Sequence, residues 1–208
     1  DSSRKGTSKH SVGLGGNISW SMSEFKVHKS KETTTGDKYT SGNGSLMRHG
    51  AVSVYYHDDV EKAMEVGFKQ SKATHQGWEA AELCRLMSYI CVRAINRGED
   101  LIKGFESPEY SVMCLVNSKQ EEKNEGNSHL DLDDRNWNWK SKNFKFSPTR
   151  SHRQPGYIGS YAMDGMAMAL HCVYTTKSFS EALLKIINLR GDADTTGAIL
   201  AQIAGAIY

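Results

Sequence analysis

This sequence of 208 residues lacks the features of a zinc finger, a disulfide-rich scaffold, a secreted chain or a membrane protein. The four cysteines include no C-x-x-C pair, which argues against a zinc site or a disulfide framework and predicts free thiols in a reducing cytosol. Residues 1–10 are polar and basic and lack an apolar run, so they are not a secretory signal. The most apolar segment, 157–176, carries Asp164 at its middle and falls below the usual transmembrane signal. We therefore expect a cytoplasmic protein without a membrane partner, with the nucleus left open as a location.

A strong charge of either sign is also missing. Lys and Arg number 26 against 24 Asp and Glu, and the formal net charge of +2 indicates no obligatory nucleic-acid partner. Apolar side chains make up 38% of the chain and glycines number 19, which together approach the ordinary globular share and exclude wholesale disorder. The length fits one domain over 1–208, and we expect a monomer.

Hydrophobic periodicity predicts helices, and no alternating segment is long enough for a convincing strand, so the predicted fold class is all-α. Asn17 is expected to cap a short helix, and His75 is expected to open a long one. The predicted helices cover 18–25, 60–68, 75–95, 107–116, 157–175, 179–189 and 195–208. Ser178 and Glu181 form a capping box, and the last helix carries Gly197, Ala201 and Gly205 at a spacing that lets another helix approach closely.

The segment 119–154 breaks this helical order. It combines mixed charges with aromatic pairs at 137/139 and 144/146, and a segment of this length without helical period is typical of an insertion or a functional loop. Aromatic and basic residues together could form a platform for single-stranded nucleic acid. The alternative, which we favour, is a short hairpin lying on the core.

The segment 190–197, which reads RGDADTTG, is the sharpest chemical signal in the chain. Asp192 and Asp194 lie two residues apart in what we expect to be an extended turn, so their carboxylates can converge together with the Thr195 hydroxyl. Oxygen ligands of this kind suit a hard cation such as Mg²⁺. The alternative is that Asp194 or Thr195 only caps the last helix, since both residue types are preferred there.

A second signal is the segment 40–48, which reads TSGNGSLMR. Glycines on both sides of Asn43 allow positive φ and close backbone approach, so successive N–H groups could form a nest for phosphate or ribose oxygens, although an ordinary turn has the same letters. The glycine-rich segment 12–17 precedes a helix whose amides could face an anion. His75 lies either near a ligand or exposed at a helix start, and Asp164 is either catalytic or a buried, hydrogen-bonded acid.

In combination these segments resemble the ADP-ribosylglycohydrolase family. The resemblance rests on GDADTTG at 191–197, the following QxxGAxY at 202–208, GNGSxMR at 42–48 and the Thr-His pair at 74–75, and it covers about 13–208. It implies an all-α fold with a binuclear Mg²⁺ site, or Mn²⁺ in its place, that removes ADP-ribose from proteins or small molecules. Carried over by motif, it implies catalytic roles for Asp192 and Asp194, metal ligation by Asp192, Asp194 and Thr195, and ADP-ribose binding by Gly15, Ser41, Gly42, Asn43, Gly44 and His75.

One family motif is missing from 1–208, namely an acidic Thr-(Glu/Asp)-Asp-Thr sequence near the N-terminus that supplies further metal ligands. Three interpretations stay open. The chain lacks an upstream segment with the N-terminal helices, another chain supplies the motif, or the protein is a non-catalytic ADP-ribose-binding or structural relative, like the crystallins of this fold. We expect the first, in which chain 1–208 alone binds Mg²⁺ weakly and is inactive.

Overall fold

The computed structural model describes residues 14–34, 36, 40–97, 139–140, 144 and 159–208, and most of these residues are helical. Within this part of the chain the only β pairing is an isolated antiparallel bridge between Gly42 and Tyr161. The all-α prediction is therefore confirmed. The helices are α1 (Gly16–His28), α2 (Gly44–Met47), α3 (Gly50–Tyr55), α4 (Val60–Lys72), α5 (Trp78–Arg97), α6 (Ala162–Tyr174), α7 (Phe179–Ile187) and α8 (Ala193–Ile207).

The core lies between the three most buried helices, α5, α6 and α8. In α6 every residue from Ala162 to Val173 is buried, which is the pattern of a helix surrounded by other elements. The helices α4 and α7 cover the outside of this group, α4 against α5 and α7 against α8. The largest fully buried side chains are Leu46, Leu83, Leu86, Met87, Ile90, Met166, Leu170, Ile186, Ile199, Leu200 and Ile203.

Several local predictions are confirmed. Ser178 is the N-cap of α7, and its hydroxyl accepts a hydrogen bond from the Glu181 backbone N–H at 3.2 Å. The Glu181 carboxylate reaches back to the backbone N–H of Lys177 at 2.9 Å. The small-residue stripe of α8 does meet another helix, since a Cβ at Gly197 would lie 3.4 Å from a methyl group of Ile187 in α7.

Two predicted helix starts are wrong, for reasons of tertiary contact. Asn17 does not cap α1, because the N-cap is Gly15 and the Asn17 amide donates instead to the Thr40 carbonyl at 2.7 Å and to Gln76 at 2.8 Å. His75 does not open α5, which begins at Trp78, because residues 74–77 turn back along the 40–44 segment. Hydrogen-bonding partners distant in sequence override the local preference at both places.

The segment 119–154 and the predicted helix at 107–116 lie outside the described residues apart from 139–140 and 144. Trp139 and Phe144 are buried in the core, which agrees with aromatic residues lying on the core. The imidazole Nδ1–H of His171 donates to the Trp139 carbonyl at 2.8 Å. This bond joins Trp139 to α6.

Three of the four cysteines lie in the described residues, and all three are free and buried. Burial raises the pKa of the Cys84 and Cys172 thiols to about 11 and that of Cys91 to about 12. The free-thiol prediction is confirmed for these three. Among the helices described, none combines the length and the apolar character needed to cross a membrane.

Candidate functional site

The loop 41–44 is fixed to the start of α6 by two backbone hydrogen bonds. The Asn43 N–H donates to the Ser160 carbonyl at 2.8 Å, and the Ala162 N–H donates to the Ser41 carbonyl at 3.0 Å. The predicted nest of free N–H groups is therefore wrong at its centre, because the Asn43 N–H is already bonded. Neither Gly42 nor Gly44 has positive φ, so these glycines serve close contact and not backbone conformation.

A hydrogen bond joins the two chemical segments of the sequence. The side-chain N–H of Asn43 donates to the Oδ2 atom of Asp192 at 2.9 Å, across 149 residues of chain. Asn43 is 5% exposed, so this bond is made largely away from water and fixes the orientation of the Asp192 carboxylate. The segment 41–44 and the segment 190–197 thus lie at one place in the fold.

The two aspartates stand at the start of α8. Arg190 and Gly191 both have left-handed backbone conformations, with φ of 66° and 72°, and they turn the chain into the helix. Asp192 is the N-cap residue but its side chain makes no capping hydrogen bond, and Asp194 is in the first turn. The predicted extended turn is therefore wrong at Asp194, which is helical. The alternative that Asp194 or Thr195 only caps the helix is wrong too, because Asp192 occupies that position.

The donor set at this helix start fits a hard divalent cation in kind. Asn43 bonds only one of the two Asp192 carboxylate oxygens, and Asp194 is exposed. The Thr195 side chain is only 5% exposed, yet its hydroxyl has no hydrogen bond to a described residue, unlike that of Thr196, which donates to the Asp192 carbonyl at 3.0 Å. In the part of the chain that the structure describes, no group of three or more His, Cys, Asp and Glu side chains could hold a metal ion. The described ligands are thus two carboxylates and one hydroxyl.

His75 lies directly behind the loop 41–44 and is 2% exposed, so the interpretation as an exposed residue at a helix start is wrong. A Cβ at Gly44 would lie 3.2 Å from the His75 ring atoms Nε2 and Cε1, and a Cβ at Gly42 would lie 3.6 Å from Nε2. At Gly44 a larger side chain would press on this ring, whereas at Gly42 it would first meet Oδ1 of Asn17, 2.6 Å from the Cβ position. Burial, and secondly the positive charge of Arg48, lowers the pKa of His75 to about 4, so the ring is neutral at pH 7.

Ser41 and Gly15 complete the predicted set, with different outcomes. Ser41 is 1% exposed, and its hydroxyl has no hydrogen-bond partner among the described residues. Gly15 is the exposed N-cap of α1, with nothing within 4 Å of the position that a Cβ would take. The structure therefore brings together Ser41, Gly42, Asn43, Gly44, His75, Asp192, Asp194 and Thr195 around the 41–44 loop and the start of α8. For Gly15 it shows no contact with them.

Two residues that sequence reasoning missed connect α1 to this site. Asn17 contacts the loop, since a Cβ at Gly42 would lie 2.6 Å from its Oδ1 atom. Gln76 donates from Nε2 to the hydroxyls of Ser21 at 2.7 Å and Thr33 at 2.9 Å. Asn17 has the sequence pattern of an ordinary helix cap, so no local signal separates the two roles. Asp164 is 8% exposed in α6 and is buried and partnered.

Comparisons with known proteins find relatives of this chain. A family model described as ADP-ribosylglycohydrolase matches residues 2–208. The chain is 26% identical to ADP-ribosylarginine hydrolase Tri1 of Serratia proteamaculans (strain 568), over 81% of this chain and 39% of that protein. It is 24% identical to ADP-ribosylarginine hydrolase Tri1 of Pseudomonas putida (strain GB-1), over 83% of this chain and 40% of that protein. The chain thus spans about two fifths of the length of these relatives.

A second sequence match, over a shorter part of the chain, and a solved structure carry related names. Over 67 residues, 32% of this chain and 21% of the relative, the chain is 37% identical to ADP-ribosyl-[dinitrogen reductase] glycohydrolase of Rhodospirillum rubrum. A solved structure titled ADP-ribosylglycohydrolase-related protein complex superposes with a TM-score of 0.61 at 23% identity, covering 93% of this chain and 59% of that one. At this identity the superposition supports the fold.

Proposed function

The chain belongs to the ADP-ribosylglycohydrolase family, and on that premise we propose that its cleft serves the hydrolysis of the bond between ADP-ribose and an arginine side chain. The observation that carries the proposal is the Asn43–Asp192 hydrogen bond, because it joins the loop expected to bind ADP-ribose to the carboxylates expected to hold a metal ion. Arginine is proposed as the linked residue because two relatives matched over most of this chain are named ADP-ribosylarginine hydrolases.

We further propose that Asp192, Asp194 and Thr195 hold Mg²⁺, or Mn²⁺ in its place. When bound, such an ion supplies Lewis acidity and a fixed position for oxygen groups. Three side chains, each giving one oxygen, fill fewer than the six positions of one octahedral Mg²⁺, so the remaining positions are left to water, to the substrate and to residues outside the described set. Two such ions, as the family resemblance implies, would need more ligands still.

The chain's own residues then have separate tasks. Asn43 fixes the Asp192 carboxylate, and the buried loop 41–44 gives a close-fitting wall for the diphosphate and ribose. The free Ser41 hydroxyl and the neutral His75 ring are polar groups without a competing charge, so they can bond substrate oxygens without neutralising the carboxylates nearby. Asp194, exposed at the start of α8, is the carboxylate best placed to meet a water molecule.

The test is the release of ADP-ribose from ADP-ribosylated arginine by the complete protein. Asp192→Asn and Asp194→Asn should each lower the Mg²⁺-dependent rate by at least about 10²-fold, because a lost charged ligand changes both the position and the charge of the ion. The matched control is Asp58→Asn, which changes an exposed aspartate outside the cleft and should leave the rate unchanged. Near-normal rates in both cleft variants would contradict the proposal. Binding of ADP-ribose without any release by the unaltered protein would favour the non-catalytic alternative.

A further inference from the structure

Three side chains form a continuous hydrogen-bonded relay behind the loop 41–44. The Arg48 guanidinium donates from Nη2 to the Thr74 hydroxyl at 2.6 Å and to the Gln70 carbonyl at 2.8 Å. Its Nε donates to the Gln70 side-chain oxygen at 2.9 Å, so the guanidinium is held at three points. The Thr74 hydroxyl lies 2.9 Å from Nδ1 of His75. We call Arg48, Thr74 and His75 the ring relay.

The ring relay determines where the His75 proton lies. A hydroxyl has a single hydrogen, and Arg48 has no acceptor to offer, so the Thr74 oxygen accepts from Arg48 and keeps its hydrogen for another partner. Among the described residues, Nδ1 of His75 is the only acceptor within reach of that hydrogen. When the hydroxyl gives that hydrogen to a protein acceptor, Nδ1 accepts it and the proton of the neutral ring is on Nε2.

The Nε2 atom lies on the side of the ring that faces the loop 41–44. It lies 3.2 Å from a Cβ position at Gly44 and 3.6 Å from one at Gly42. It has no hydrogen-bond partner among the described residues. A hydrogen on Nε2 is therefore available to an acceptor of a ligand.

We propose that Arg48 and Thr74 are positioning residues that hold His75 in the Nε2–H tautomer, so that the ring offers one N–H donor to an acceptor oxygen of a ligand bound against the loop 41–44. Naming ADP-ribose as that ligand rests on the proposed function, whereas the tautomer itself does not. Arg48 and Thr74 touch no ligand in this account. They affect ligand binding only by holding the His75 ring.

The first experiment measures the tautomer directly in the ligand-free chain by two-bond ¹H–¹⁵N correlation of the imidazole nitrogens, with His75→Gln used to assign the signals. The unaltered chain should show protonated Nε2 and unprotonated Nδ1 at pH 7. Thr74→Val removes the hydroxyl at nearly constant volume and should give a mixture of tautomers, whereas Thr74→Ser should restore the single tautomer. A ring protonated at Nδ1 in the unaltered chain, or a Thr74→Val ring still wholly in the Nε2–H form, would overturn the proposal.

The second experiment measures ADP-ribose affinity by calorimetry. Thr74→Val should raise the Kd by about 3- to 10-fold, the range for one weakened hydrogen bond, and Thr74→Ser should recover the affinity. Combining Thr74→Val with His75→Gln should add nothing to the loss caused by His75→Gln alone, because both act through one ring. Additive losses would indicate a merely structural effect and overturn the proposal. Thr176→Val, which removes a hydroxyl bonded to the Cys172 carbonyl at the far end of α6, is the matched control.

The two experiments separate this proposal from the proposed function. A complete, unaltered protein that does not bind ADP-ribose contradicts the proposed function, and the tautomer measurement then tests the roles of Arg48 and Thr74 independently. Arg48→Lys gives a second variant for that measurement. Lysine keeps the positive charge but lacks the planar guanidinium that donates to both Gln70 and Thr74. This variant should therefore give a mixture of tautomers, as Thr74→Val does.

Discussion

At the scale of single residues, Asn43 has a role that its sequence context does not reveal. The glycines around it indicate a ligand-binding turn, and the family resemblance implies contact with ADP-ribose. The structure instead gives its side-chain N–H to Asp192 at 2.9 Å. Asn43 therefore acts on the carboxylate that we propose as a metal ligand, and a partner 149 residues away could not be inferred from local spacing.

This role predicts that Asn43→Ala lowers the affinity for a divalent cation by about 10-fold or more, because a ligating carboxylate that loses its hydrogen-bond partner loses its fixed orientation. The measurement is a titration of the complete protein with Mn²⁺, followed by the electron paramagnetic resonance signal of the free ion. Asn188→Ala is the control, since Asn188 bonds only the Leu184 carbonyl at the end of α7. An unchanged Mn²⁺ affinity in a folded Asn43→Ala protein would contradict the assignment.

At the scale of elements, the turn 74–77 packs against the loop 40–44 and places His75 beside it. Gly77 is the tightest point of this packing, because a Cβ there would lie 2.0 Å from the Ser41 hydroxyl oxygen and 2.7 Å from the Ser41 backbone nitrogen. The Gly77 N–H also donates to the Thr40 carbonyl at 3.2 Å. No side chain can be added at Gly77 unless one of the two segments moves.

Gly77→Ala should therefore lower the free energy of unfolding by about 2–3 kcal/mol, the range for overpacking against backbone atoms. Gly16→Ala is the matched control. It lies in the first turn of α1 with nothing within 4 Å of the new methyl group, and alanine is the better helix former, so stability should stay equal or rise slightly. Urea denaturation of both variants gives the comparison. Equal free energies of unfolding for the two variants would show that the turn 74–77 does not pack tightly against the loop 40–44.

The elements themselves were largely predictable from sequence. The apolar period in 60–68 and the capping box at Ser178 place α4 and α7 correctly, because those helices follow local rules. The start of α5 was not predictable, since residues 74–77 bond to the loop before the helix begins. The same holds for Asn17, whose amide prefers Thr40 and Gln76 to its own helix.

At the scale of the whole molecule, three buried histidines couple stability to pH. Burial lowers the pKa of His49 to about 4, and burial together with Arg48 lowers that of His75 to about 4. Burial also lowers the pKa of His171. In the unfolded chain these groups have a pKa near 6.5, so between about pH 6.5 and pH 4 the unfolded state binds more protons than the folded state.

The free energy of unfolding should therefore be highest above about pH 6.5 and fall as the pH is lowered toward 4. Between pH 7 and pH 5 we expect a loss of about 1–2 kcal/mol for each of His49 and His75. Urea denaturation at the two pH values measures it, and His49→Gln should remove about one histidine's share of the difference. Equal stability at pH 5 and pH 7 would mean that these rings are not held neutral in the fold.

The motifs at 42–48 and 191–197 predicted two segments that the structure brings to one place. The binding and catalytic roles of their residues stay predictions. The hydrogen bond from Asn43 to Asp192 could not be predicted, because it depends on how the fold brings the loop 41–44 to the start of α8. The hydrogen bond between Thr74 and His75 could not be predicted either, because it depends on the conformation of the turn between α4 and α5.

The central claim is that the loop 41–44 and the start of α8 form one site for ADP-ribose and a divalent cation. A crystal structure of the complete protein with ADP-ribose and Mn²⁺, recorded at the manganese absorption edge, tests it most directly. The account predicts an anomalous peak bonded to Asp192 and Asp194, and ADP-ribose against residues 41–44 with an oxygen within hydrogen-bond distance of His75 Nε2. Manganese bound away from both aspartates, or ADP-ribose bound away from the loop, would contradict the account.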